Sequence, residues 1–406
     1  MGRQPQETDE SLINPSCKYG ILQKAAAPEG KEDITVHWKG IPKLDILETI
    51  LFGISLFLLS PRERAINTLK IIERLRKTYL KHSQLWQNHR IKKEEEMKGN
   101  FNFDMASFIS FRDQAECERV RKIKKEDFFK HPNKNFRIRS YPNKETMKLQ
   151  FVLHIVAGIK KSLDEKKQHV IILPAWCFYP EVADLINQLN IPCHHVHTFN
   201  MDEFADQDGK AAPREWPFSF QNSMWKMLFD RIKPELKIPE KQIHFPSEKN
   251  VNDYSRMIED LGGADVCYGG IGWSGHIAFF EPHLGDEFGN DIQAYLKAGT
   301  RLVELHPMTI MQNALFLSKE SGDWSAHPPK AYTIGPRELA GSKLVSFWCG
   351  FSEGAAKFQR FITRLSAHGP VTPYVPASIL QVTNSELVVS DQVAEDCYED
   401  NFNFIF

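Results

Sequence analysis

The run from Gly269 to Pro282, GGIGWSGHIAFFEP, places four glycines within seven residues and a histidine, His276, directly after them. Glycines let backbone amides approach a ligand and tolerate positive φ, so Gly269, Gly270, Gly272 and Gly275 are candidate substrate-binding positions. An imidazole titrates near neutral pH and can carry a proton. Glu281, five residues after His276, supplies a carboxylate that can orient the ring through one nitrogen. A structural glycine turn beside a core histidine accounts for the same residues. A dinucleotide-binding loop fits less well, because the spacing is not GxGxxG opening a long helix and no acidic residue ends a following strand in the usual place.

A second run, Thr198 to Phe204 (TFNMDEF), contains the adjacent carboxylates Asp202 and Glu203. Such a pair at the carboxyl end of a strand can do general-base work when apolar neighbours desolvate one member. Taken alone, it reads more readily as a helix cap or a solvated loop.

Both runs need a scaffold, and the pattern from about Val120 onward supplies one. Helical spacing is read over 147–163, 181–189, 222–232, 252–261 and 353–365. Short apolar runs at 170–173, 193–197, 264–268, 331–334, 344–348 and 387–389 read as strands. The alternation predicts an α/β, Rossmann-like domain over 117–406, with a mostly parallel sheet covered by helices on both faces. Ligands of such sheets bind at the carboxyl ends of the strands, where both candidate runs fall.

Taken together, the two runs resemble the glucosamine-6-phosphate deaminase/isomerase family, whose motifs are close to FNMDEY and GGxGxDGHIAFNEP. Phe199 to Glu203 agrees in type and order, and Gly275 to Phe279 with Glu281-Pro282 repeats the second motif. Pro213-Arg214-Glu215 with Pro217 is similar to the family's lid entry, and Ile238-Pro239 with the helix around Tyr254 to the stretch after it. Pro329 to Leu339 is similar to its P-x-A-x-T-x-G strand, and Pro376 to Gln381 to the start of its C-terminal helix. The resemblance covers about Val120 to Glu395. It implies ring opening of an amino sugar, proton transfer between C1 and C2 through an enol, and release of ammonia, without a cofactor or metal. On matching positions Asp202 would be the base at carbon, and His276 would assist ring opening, oriented by Glu281. The related phosphogluconolactonases share the fold, but their histidine motif continues differently.

Four positions depart from that family. Its Gly- and Ser/Thr-rich phosphate loop is replaced by Pro174-Ala175-Trp176-Cys177-Phe178-Tyr179-Pro180. Its phosphate-binding lysine, counted from Gly350, is Glu353, and its arginine ligand, counted from Thr300-Arg301, is His306. The aspartate two residues before the histidine is Ser274, which can hydrogen-bond His276 but brings no charge. The expected activity is therefore that of a divergent sugar isomerase or deaminase, acting on an amino sugar or amino-sugar phosphate without the usual phosphate grip. A catalytically weak sugar-binding sensor or regulator is the alternative, and a lactonase acting through His276 a third reading. Arg214, at the lid, reads as a packing arginine or a substitute anion ligand.

Other signals are weaker. Cys193, His195 and His197 would share one face of a strand and invite a metal reading, yet no distant ligand set accompanies them. The seven cysteines lack CxxC or framework spacing, which reads as small buried hydrophobes of a reducing, cytoplasmic compartment. A formal net charge of -1 gives no reason to expect nucleic acid or an anionic membrane as partner; a small-molecule sugar is expected, and a homo-oligomer is compatible with it. Residues 1–116 read as an N-terminal extension, with a polar tail, an apolar run at 49–60 and a charged helix over 61–96; Met97 is an alternative initiator. No signal peptide is read, and the apolar run falls short of the roughly 20 residues a membrane span needs.

Overall fold

The computed structural model describes residues 103–176, 178–317, 321–351 and 353–397. The expectations for the tail, apolar run and helix before residue 103, and for the terminal phenylalanines, fall on residues outside these. The described chain enters through α1 (Gln114–Arg121), α2 (Lys125–Phe128) and the strand β1 (Phe136–Tyr141). It continues through α3 (Lys144–Asp164), β2 (His169–Leu173), α4 (Tyr179–Leu189), β3 (Val196–Asn200) and β4 (Asp202–Ala205). Next come α5 (Phe220–Met227), β5 (Ile243–His244), α6 (Tyr254–Asp260), β6 (Val266–Gly269), α7 (Ile292–Tyr295) and β7 (Arg301–Glu304). The remaining elements are α8 (Pro307–Leu317), β8 (Lys330–Thr333), α9 (Pro336–Ala340), β9 (Val345–Cys349), α10 (Glu353–His368), β10 (Ser385–Ser390) and α11 (Asp391–Ala394).

Seven strands form one sheet in the order β1-β10-β9-β6-β2-β3-β5, and every pairing in it is parallel. Its inner strands are buried on both faces, which explains their unbroken apolar runs, such as HVIIL in β2. Alternate residues serve the two layers. Val170 and Ile172 face one core with Phe199, Cys267 and Phe347, whereas Ile171 and Leu173 face the other with Tyr268, Trp348 and the buried side of α3. That helix begins where the Asn143 side chain accepts the Thr146 N–H at 2.8 Å. Met147, Phe151, Ile155 and Ile159 then follow at helical spacing on its buried face.

The expected mostly parallel α/β sheet is present; its edge strands β1 and β5 were not read from the sequence, and two further differences concern detail. β3 occupies 196–200, not 193–197. The Cys193 N–H is taken by the Leu236 carbonyl at 2.9 Å, and the Val196 N–H closes a turn onto the Cys193 carbonyl at 3.1 Å, so the strand cannot start earlier. The second difference is a small antiparallel sheet, β4-β8-β7, that strand-by-strand reading did not reveal. Among the described residues no helix is long and apolar enough to cross a membrane.

Strand order reverses between two central neighbours. From β2 the chain steps outward to β3 and β5, and from β6 it steps the other way to β9 and β10. The crevice between the carboxyl ends of β2 and β6 is thus the place where an open parallel sheet binds ligands. The loop 174–178 leaves β2 and the glycine-rich loop leaves β6, so both flank it.

Candidate functional site

Beyond β6 the chain turns sharply twice. Gly275 has φ +88°, a conformation that side chains rarely adopt, and its N–H donates to the Gly272 carbonyl at 2.9 Å. Gly272 is required for a different reason, because a β-carbon there would fall on the imidazole of His276. Gly269 closes β6, packed between Phe347 and Met201, and Gly270 lies against the Trp348 carbonyl and the Trp176 ring. The intervening amides are engaged within the protein: Ile271 N–H with Cys349 Sγ at 3.3 Å, and Trp273 N–H with Gln312 Oε1 at 2.7 Å.

His276 is 5% exposed and Glu281 is fully buried. Three oxygens surround the Nδ1 of His276: Thr309 Oγ1 at 2.9 Å, Ser274 Oγ at 3.1 Å and Glu281 Oε2 at 3.3 Å. The Ser274 hydroxyl donates to Glu281 Oε2 at 3.1 Å, and the His306 N–H donates to Glu281 Oε1 at 3.3 Å. Burial works to raise the Glu281 carboxyl. The nearby His276, the hydrogen bonds from His276 and Thr309, and the His306 N–H outweigh it and hold the group below the usual carboxylate range. The result is an ionised, hydrogen-bonded carboxylate behind an imidazole whose other nitrogen lies beside Gly272. That arrangement can orient a proton carrier.

Asp202 opens β4, two residues beyond the end of β3. It is 6% exposed, and no hydrogen-bond donor among the described residues reaches its carboxyl. The two buried tyrosines nearest in charge terms point their hydrogens elsewhere: Tyr254 donates to the Asn200 carbonyl at 2.7 Å, and Tyr179 to the Pro174 carbonyl at 2.6 Å. Burial, reinforced by the charge of Glu203, pushes Asp202 well above the ordinary aspartate range. A desolvated carboxylate with no donors is a stronger base than a solvated one.

Glu203 sits differently from its neighbour. Its carboxylate accepts three backbone N–H groups: Phe204 at 2.9 Å, Phe220 at 3.0 Å and Gln221 at 2.7 Å. The last two belong to the start of α5, so Glu203 caps that helix. Burial pushes it up to about 7 although the three N–H groups pull it down.

Thr333 joins the two loops. It stands opposite Asp202 in the β4–β8 pairing, and its hydroxyl accepts the N–H of Phe279 from the His276 loop at 2.9 Å. Thr333 is also the threonine of the P-x-A-x-T-x-G stretch noted in the sequence.

The loop after β2, where the resemblance places a phosphate grip, is aromatic. Phe178 lies 4.3 Å from Phe351 and 5.0 Å from Phe151, and Trp176 lies 5.2 Å from Phe351, centroid to centroid. The His306 imidazole is committed: Nε2 meets the Phe108 carbonyl at 2.9 Å while Nδ1 accepts the Met308 N–H at 3.2 Å. Glu353 begins α10, and its side chain lies outside the described residues. Arg214 lays its guanidinium over the Trp225 ring at 3.9 Å, a packing arrangement. Cys193 and His195 stand outside the strand, so only His197 of that trio is on β3. His195 Nε2 meets Ser162 Oγ at 3.0 Å, and Cys193 Sγ donates to the Ile191 carbonyl at 3.4 Å.

No family model matches the chain. A glucosamine-6-phosphate deaminase of Clostridium botulinum (strain Loch Maree / Type A3) is 30% identical over 223 residues, covering 53% of this chain and 80% of that protein. The chain belongs to the glucosamine-6-phosphate deaminase family. The deaminase of Phocaeicola vulgatus is 29% identical over 224 residues, covering 54% of this chain and 75% of that one. The solved structure of a monomeric glucosamine-6-phosphate deaminase superposes with a TM-score of 0.53 at 21% identity, over 63% of this chain and 98% of the other, and supports the fold. Thr309 and Thr333 contact the candidate His276 loop and were passed over in the sequence. Thr309 belongs to no motif. Thr333 was visible within one, but its link to Phe279 is a tertiary contact.

Proposed function

We propose that this chain catalyses proton transfer on an amino sugar, opening the ring and enolising C1 and C2, with water finally displacing ammonia from C2. The observation that carries the reading is the combination of a donor-free buried carboxyl, Asp202, with the oriented imidazole of His276 on loops after β3 and β6, the two strands that flank β2 in the parallel sheet. His276 assists ring opening by taking the C1 hydroxyl proton and delivering it to the ring oxygen as the bond from that oxygen to C1 breaks, leaving the open-chain aldehyde. Asp202 then takes the C2 hydrogen, the C2 electron pair forms the enol as a proton of the substrate ammonium passes to the C1 oxygen, and the same carboxyl returns its proton to C1. The resulting C2 iminium is hydrolysed to a ketone and ammonia, so the sum is amino sugar plus water to ketose plus ammonia. Glu281 orients His276, with Ser274 bridging them. Gly269, Gly270, Gly272 and Gly275 shape the loop that encloses the substrate.

The aromatic loop at Trp176 and Phe178 favours an amino sugar held without the family's phosphate contacts. The same loop, with Ser274 in place of an aspartate, also fits a second reading: a sugar-binding sensor with little turnover.

The test follows C2 hydrogen exchange in D₂O and ammonia release with three probes: glucosamine 6-phosphate, glucosamine and gluconate. Glucosamine is expected to exchange, and Asp202→Asn to lower the rate by about 10²–10⁴-fold, the usual worth of a positioned base. If no probe exchanges faster with the wild type than with Asp202→Asn, the isomerase reading fails. A rise in melting temperature with glucosamine in that case supports the sensor.

A further inference from the structure

The first turn of α8 fastens itself to the proton-carrying pair twice. The His306 N–H donates to Glu281 Oε1 at 3.3 Å, and three residues on, the fully buried Thr309 brings its hydroxyl 2.9 Å from His276 Nδ1. That is the shortest of the three contacts to this nitrogen, ahead of Ser274 at 3.1 Å and Glu281 at 3.3 Å. A hydroxyl has one hydrogen to give and two lone pairs to receive with. The Ser274 hydrogen is directed at Glu281 Oε2, and Thr309 Oγ1 lies 3.5 Å from Ser274 Oγ. The Ser274 hydrogen is spent on Glu281, and Glu281 Oε2, 3.3 Å from Nδ1, can only accept, so Nδ1 carries the ring hydrogen and both hydroxyl oxygens turn lone pairs toward it. Nε2, on the side of the ring against Gly272, is then the nitrogen with the free electron pair.

We infer that Thr309 is a positioning residue set beside His276 and Ser274, accepting the Nδ1–H and turning its own hydrogen toward the Ser274 hydroxyl, so that Nε2 is the nitrogen presented for proton transfer. Its effect on turnover rests on the proton-transfer reading above; its effect on the imidazole does not. A buried hydroxyl in this position takes over part of the orienting task that a second carboxylate would perform at position 274. It supplies direction without adding charge.

The experiment uses the full chain labelled with ¹⁵N-histidine, the His276 resonances being identified by their loss in His276→Gln. Long-range ¹H–¹⁵N correlation reads which ring nitrogen is protonated, and the wild type is expected to show Nδ1–H. In Thr309→Val, close in shape but lacking the hydroxyl, the Nδ1–H turns to the Glu281 carboxylate and its proton moves downfield, as a charge-assisted bond requires. The ring also leaves its line, so kcat for C2 exchange of glucosamine falls about tenfold, or about 1.4 kcal/mol, while KM holds. Thr309→Ser, which keeps the hydroxyl, restores both. An Nε2–H tautomer in the wild type, or an Nδ1–H resonance unmoved in Thr309→Val, overturns the inference. If the wild type exchanges no probe, the proton-transfer reading is what fails, and the ring-nitrogen result still decides the role of Thr309.

Discussion

The imidazole of His276 fills the space that a side chain would need at Gly272. This contact ties the glycine pattern of the loop to its histidine: the backbone at 272 passes the ring so closely that only hydrogen fits between them. The glycine is there for the neighbouring side chain more than for its own dihedral freedom.

Gly272→Ala is therefore expected to displace His276 from Thr309, Ser274 and Glu281. If His276 carries the proton, exchange at C2 should fall by about 10²–10⁴-fold, as for loss of a general acid–base group. Melting temperature should fall as well, because the loop must give way around the new methyl. Unchanged exchange in a folded Gly272→Ala protein would remove His276 from the mechanism.

Thr333 provides the second prediction. Its hydroxyl is the acceptor for the buried Phe279 N–H, and it also donates to the Ile334 carbonyl at 2.9 Å. Thr333→Val strands that N–H and should cost about 1–3 kcal/mol in urea denaturation, the usual penalty for an unsatisfied buried donor. Thr333→Ser should recover most of it. Because β8 is also the partner of Asp202, the valine variant should lose activity beyond what its stability loss explains.

These two contacts mark what the sequence could and could not convey. The glycines, His276 and Glu281 were legible because they are close in the chain and their types limit what the loop can do. Asp202 was legible as a carboxylate after a strand, and its separation from Glu203 was not. Only the fold shows that Glu203 meets the start of α5, seventeen residues away. The parallel sheet was legible because its buried strands are continuous apolar runs. The β4-β8-β7 sheet was not: β8 was legible as a strand at 331–334 but not as part of a separate antiparallel sheet, and DEFA and RLVE are four-residue segments without a clear apolar period. Thr309 lies within a helical run and does its work across a distance of 33 residues, where local spacing carries no signal.

The aromatic group at the end of β2 yields a third prediction. Phe178 is 3% exposed and its ring meets those of Phe151, Trp176 and Phe351 within 5.3 Å. Phe178→Ala should cost about 3–5 kcal/mol, as for other large-to-small changes in a packed core. Half-exposed Trp176 should cost less when truncated. If both substitutions were neutral in denaturant titrations, the loop would be a loosely held surface and not a packed replacement for a phosphate cradle.

Glu203 sets a pH dependence whose sign can be worked out. Burial raises its carboxyl from the ordinary value of 4.5 to about 7 in the folded chain. Between those values the folded protein keeps a proton that the unfolded chain releases, so folding binds protons and stability falls as pH rises. The contribution is fully present below about pH 4.5 and is lost as pH passes through about 7, amounting to about 3 kcal/mol across the window at 1.36 kcal/mol per unit. Asp202, also raised by burial, acts in the same direction. Denaturation midpoints measured from pH 5 to 8 should therefore decline in the wild type and decline less steeply in Glu203→Gln, which has no carboxyl to ionise. Since Glu203 holds the first N–H groups of α5, hydrogen exchange at Phe220 and Gln221 should change across the same window. Equal slopes in the two proteins would mean that Glu203 is already ionised throughout, with its three N–H bonds prevailing over burial.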